Sequence, residues 1–228
     1  MRFAIKCEGK NPRMKNNHLQ SQIDRTATLL RRIDELRDGL RQVDPFELAL
    51  LVRGEYSAKE PGRGELHLEL WGREVTVSFP ALVACDTNGK ELNPALQALL
   101  IYHFHTTDGT PVAERYTAFS ELQDGRFYAQ AFQSYTGDEL RRAFGDERHR
   151  FELSAQKMGG HPYHLGDSSF TFDFLPRVKL LAVFWRGDED FPSTYQILFD
   201  GAVAHHLPTD ACAIAGSMLT RMIISANG

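Results

Sequence analysis

The chain has 228 residues, 42% of them hydrophobic and 25% charged, which suffices to bury a core without disulfides or metals. Its formal charge of -4 argues against binding nucleic acid by bulk electrostatics. Three widely spaced cysteines, Cys7, Cys85 and Cys212, form no CxxC pair; this excludes a zinc ribbon and an iron–sulfur binding run and points to the cytoplasm. Residues 1–20 carry no apolar run, so no signal peptide is read, and no stretch approaches the roughly 20 apolar residues of a membrane span.

In chain order, residues 1–16 read as a flexible arm and 17–43 as an N-terminal helix, with Leu19, Ile23, Leu30, Ile33, Leu36 and Leu40 near a 3.6 period. Its charged face suits solvent; a protein partner is the alternative. Residues 44–228 read as one domain. "DPFELALLVRG" is a short helix with Pro45 in its first turn and Gly54 as its stop. "EYSAKEPGRG" reads as a loop. "ELHLELWG" and "REVTVSF" alternate around Gly72-Arg73, a hairpin signal. "NPALQALLIYHFHTTDG" is a helix with Asn93 as cap and Pro94 at the first position. "DELRRAFG" and "DERHRFELSAQKMGG" are two more helices, each closed by glycine.

The last third is β then α. "SSFTFDF" alternates, and "VKLLAVFW" is a nearly continuous apolar run, expected as a strand buried on both faces and paired antiparallel with "YQILFD". A closing helix carries Ala211, Ile214, Ala215, Met218, Met222 and Ile223 on one side, capped by Thr209 or Asp210. The expected fold class is α+β: a mainly antiparallel sheet packed by several helices, a single domain with an N-terminal helical extension.

The ordered segments "LLIYHFH", "RYTAFSEL", "GRFYAQAF", "MGG", "FLPRVKLLAVFWRGDEDFP" and "ILFDGAVAHHLPTD" resemble domain-of-unknown-function family 3786, a bacterial and archaeal family, over roughly residues 30–225. Tyr116 and Lys179 depart from that pattern, where Trp and Pro are expected. The resemblance implies anaerobe-associated metabolism near corrinoid or iron–sulfur chemistry and supplies no catalytic residue. This chain lacks the cysteine-rich segment some relatives carry, so it holds no iron–sulfur cluster alone.

Candidate chemistry is scattered. His103 shares an apolar helix face with Leu96, Leu99 and Leu100 and is expected to be a buried, hydrogen-bonded core histidine. His161, His164 and Asp167 in "GGHPYHLGD" have the residue types of a metal site, although Pro162 and the glycines suit a turn. The six aromatics between Tyr116 and Tyr135 read as core, or as a flat-ligand pocket with Arg115 and Arg126 meeting ligand anions. The acids Asp188, Glu189 and Asp190 after Trp185 read as a turn paired with Arg177 or Arg186, or as a cation or ligand site. His205 sits in a loop from which a free imidazole can ligate a corrinoid or haem iron. No nucleophile elbow or phosphate loop occurs. The expected function is an accessory protein binding a small planar or anionic ligand, such as a corrinoid or other tetrapyrrole, at Arg115, Tyr116, Trp185, Asp188, Glu189 and His205. A metal-dependent enzyme or a plain interaction domain are the alternatives.

Overall fold

The computed structural model describes residues 33–227. The 1–16 arm and residues 17–32 of the expected N-terminal helix lie outside the described residues; of that helix, residues 33–40 are helical. Helix α1 (Pro45–Val52) starts where Asp44 accepts a hydrogen bond from the Phe46 amide, 2.9 Å. It stops on Arg53, left-handed at φ 54°, one residue before the expected Gly54. Helix α2 (Pro94–Thr106) starts at Asn93, whose side chain accepts from the Leu96 amide at 3.0 Å.

Two antiparallel sheets form where one was expected. The first is β1 (Glu55–Glu60), β2 (Arg63–Leu70), β3 (Arg73–Phe79) and β4 (Ala84–Asp86), in that order. Strand β1 corrects the loop reading of "EYSAKE". Five of its six side chains are exposed, so no alternation marks it; backbone pairing with β2 makes it a strand. Its register slips between Ala58 and Glu60, and Lys59 pairs with Glu65. The β2–β3 turn centres on Trp71 (φ 54°) and Gly72 (φ 65°), one residue earlier than Gly72-Arg73. Two successive left-handed residues are what a two-residue hairpin turn needs to match strand twist.

The second sheet holds β5 (Tyr116–Ala118), β6 (His161–Tyr163), β7 (Ser168–Leu175), β8 (Val178–Trp185) and β9 (Thr194–Asp200), ordered β5-β9-β8-β7-β6. As expected, β8 is central, pairs with β9 and is buried on both faces. Leu180, Ala182 and Phe184 join the main core, and Leu181 and Val183 are fully buried on the opposite side. The edge strands curl toward each other over that second side, so that the rings of Tyr116 and Tyr163 meet edge to face, 5.1 Å between centroids. The two sheets join where the Trp71 amide donates to the Phe174 carbonyl, 2.9 Å.

Helices α3 (Gly125–Tyr135), α4 (Gly137–Phe144), α5 (Arg148–Lys157) and α6 (Thr209–Ser225) complete the α+β fold. Helix α6 is preceded by Pro208 as its N-cap, without the expected side-chain cap, and Thr209 Oγ1 instead donates to the Gln123 carbonyl, 2.7 Å. Of the six aromatics between Tyr116 and Tyr135 only Phe119 and Phe132 are core, stacked at 4.2 Å against Phe199; Tyr116 is half-buried and Tyr135 exposed. Gly216 of α6 makes room for the stacked pair, since a Cβ there would come within 2.7 Å of the Phe132 ring. Phe127 and Tyr128 instead face solvent.

Candidate functional site

The residues expected to form a ligand pocket fall at two ends of the second sheet. Tyr116 pairs with Asp200 near the start of β8, whereas Trp185 ends that strand, and eight residues of strand span roughly 23 Å. Tyr116 is half-buried. Burial first, then the charge of Asp200 and the ring of Tyr163, push its phenol above the ordinary value, so it stays protonated. Arg115 lies on the surface with its side chain beside Gly201, and its carbonyl accepts from the Gly201 amide, 2.7 Å. The strap bearing both residues is anchored by Asp200. That buried carboxylate accepts from the amides of Ala113 (2.8 Å), Glu114 (2.8 Å) and Ala202 (2.9 Å). Nothing in the local sequence pattern marked Asp200.

At the Trp185 end, the acidic stretch is a self-contained turn. Asp188 Oδ1 accepts from the amides of Asp190 and Phe191, both 2.9 Å, and the Gly187 amide donates to Ser193 Oγ, 2.8 Å. No arginine pairs with Asp188 or Glu189 among the described residues, which corrects the expected arginine pairing. Arg177 lies at the other end, where its Nε donates to the Leu51 carbonyl, 2.9 Å, and caps α1. The backbone supplies the donors because an Asx side chain reaches the amides two and three residues on. Trp185 packs beside Gly166. Asp167 accepts from the Arg186 amide, 2.7 Å, while His161 and His164 are exposed. Among the described residues no three His, Cys, Asp or Glu side chains gather as ligands for one ion, so His161, His164 and Asp167 are not assembled into a metal site.

The histidines near α2 form a network. His103 is fully buried, as expected; its Nδ1 meets the carbonyl of His206, 3.2 Å, so that nitrogen carries the proton. His206 Nε2 likewise donates to the Thr110 carbonyl, 2.9 Å, which leaves its Nδ1 to accept from Thr107 Oγ1, 2.9 Å. Burial drives His103 down to about 3 and lowers His206 too. Both rings are neutral bracing between α2 and the turn before α6. His205 is exposed and paired with Asp108, 2.7 Å. Hydrogen bonds from Thr110 and then His205 hold the Asp108 carboxyl well below the usual carboxylate range.

Two large surface grooves lie elsewhere, and neither is lined by Arg115, Tyr116, Trp185, Asp188, Glu189 or His205. One, about 820 Å³, runs between the sheets past Arg53, His67, Glu69, Glu114, Asp173 and Lys179. It is acidic: Glu55, Glu69, Glu74, Glu114 and Asp173 face Arg53 and Lys179, with Lys179 paired to Asp173 at 3.2 Å and His67 Nδ1 3.5 Å from Glu74. The other, about 860 Å³, has a different character. The β2–β3 turn brings Leu70 and Trp71, the first turn of α2 brings Leu96, the end of α5 brings Met158, and α6 brings Met218 and Met222. Arg73, Lys157 and Arg221 ring this apolar floor. Three methionines supply a pliable wall, since an unbranched thioether adapts to irregular shapes. The Trp71 indole packs on Phe174, 4.7 Å between centroids, and its Nε1 is shielded from solvent with no hydrogen-bond partner among the described residues. An apolar concavity with a few convergent polar groups is the usual form of a small-molecule site. The sequence placed Met218 and Met222 on one side of α6 with Ala211, Ala215 and Ile223; those three are buried, whereas the two methionines are only partly buried and line the groove.

Residues 44–222 match the family described as a domain of unknown function, DUF3786. The chain belongs to this family. The DUF3786 match begins at Asp44, the cap of α1, and ends at Met222 in α6, so it takes in the walls of the methionine groove from Leu70 to Met222. No curated protein and no solved structure matches the chain.

Proposed function

We propose that this DUF3786 protein is a small-molecule binding module whose site is the methionine-lined groove. The observation that carries the reading is the coincidence, in one concavity of ligand size, of an apolar pliable floor and the cationic side chains of Arg73, Lys157 and Arg221. A flat carboxylate-bearing body such as a tetrapyrrole has chemistry suited to that lining. His205 is not among the groove residues and offers no axial nitrogen to such a ligand bound there. The test is titration with the neutral dye N-phenyl-1-naphthylamine, whose fluorescence rises in apolar surroundings. The wild-type protein binds it at one site; Met218→Glu, which puts a charge on the floor, weakens binding by about tenfold or more. Leu50→Glu, at a position 76% exposed on α1, leaves it unchanged. Dye binding indifferent to Met218→Glu, or absent altogether, overturns the reading.

A further inference from the structure

We infer that the groove selects an apolar molecule bearing an anionic group, read by the Arg73, Lys157 and Arg221 rim; this rests on the groove reading above. Trp71 occupies a left-handed turn position, at φ 54°, that two-residue hairpins usually give to Asn, Asp or Gly. A bulky side chain there is strained, and such strain persists where surrounding contacts enforce it. Here the enforcing contacts are the Trp71 amide bonded to Phe174 and the indole packed on the Phe174 ring. A shielded indole N–H ordinarily finds an acceptor within the protein. This one has none among the described residues, and the same shielding closes it to a ligand in the groove, so the anion is read by the rim alone.

The rim adds the sign of the charge. Neither Arg73 nor Arg221 has an ion-pair partner among the described residues. Lys157 spends one donor on the Ala226 carbonyl, 3.2 Å, and keeps two. Two acids share the lining: Asp86, which accepts from the amides of Asn88 and Lys90, and Glu74, 3.5 Å from His67 Nδ1. Three cations against two acids leave the lining with a net formal charge of one positive unit, on a chain whose formal charge is -4. A carboxylate, sulfonate or phosphate on an apolar body matches both features, since arginine and lysine donors to such anions form charge-assisted hydrogen bonds.

The test compares 8-anilinonaphthalene-1-sulfonate with N-phenyl-1-naphthylamine, which shares its rings and lacks the sulfonate. The sulfonate dye binds about tenfold tighter, and a salt increase from low to about 0.5 M weakens it while sparing the neutral dye. Lys157→Met with Arg221→Met abolishes most of that advantage and leaves the neutral dye's affinity intact. Equal affinity for the two dyes at a site blocked by Met218→Glu overturns the anion inference and leaves the groove reading standing. Failure of the neutral dye to bind overturns that reading instead. The salt comparison on the wild-type protein decides the matter even where a variant does not fold.

Discussion

His103 ties proton uptake to folding. Its ordinary value of 6.5 falls to about 3 in the folded chain, first through burial, with the charges of His206 and Arg177 pressing the same way and the bond to the His206 carbonyl opposing. The unfolded chain therefore binds more protons than the folded one between those values, and acid favours unfolding. The neutral-state contribution is fully present above pH 6.5 and is lost as pH falls toward 3. At ~1.4 kcal/mol per unit, the loss approaches about 5 kcal/mol at the acid end. His103→Leu should cost ~1–2 kcal/mol at pH 7, because the His206 carbonyl loses its donor. Near pH 4.5 the same variant should match or exceed the wild type, because it has no imidazole to protonate. Urea melts at the two pH values check this; a penalty that stays constant with pH would show that His103 is not the responsible group.

Strand β5 depends on a single carboxylate. Asp200 collects the amides of Ala113, Glu114 and Ala202, and those bonds fix the strap that delivers Tyr116 to the edge of the sheet. Asp200→Asn turns one acceptor into a donor facing donors, and should destabilise the fold by ~2–4 kcal/mol in urea denaturation. A loss below ~1 kcal/mol would show that the strap holds without it. Strands β7, β8 and β9 were legible because their apolar patterns report burial directly, and α1 and α2 because Asp44-Pro45 and Asn93-Pro94 announce helix starts. Strand β1 was illegible for the converse reason: an exposed edge strand has no buried side to write a period into the sequence. The Asp188 turn shows a subtler failure. Three adjacent acids suggested an arginine, yet the nearest donors were amides two and three residues along the chain, which local turn chemistry supplies at no cost in long-range contacts.

The methionine groove was illegible because it belongs to no one segment. Its residues come from the β2–β3 turn, the start of α2, the end of α5 and one side of α6, and each segment alone reads as core or turn. Only the joining of the two sheets at Trp71 and Phe174 brings them together. The same arrangement leaves the molecule's perimeter uneven. The rims of the five-stranded sheet are three-residue strands curled together through Tyr116 and Tyr163, whereas β1 borders the other sheet with six residues. That border is an open template onto which another chain can add a strand. Its Glu55, Lys59 and Glu60 charges and the slip after Ala58 interrupt the template. Lys59→Val with Glu60→Val should therefore promote edge-to-edge polymerisation relative to the wild type, seen as rising light scattering and thioflavin fluorescence while the fold's unfolding midpoint barely moves. Unchanged scattering would mean that the slip in register by itself guards the border.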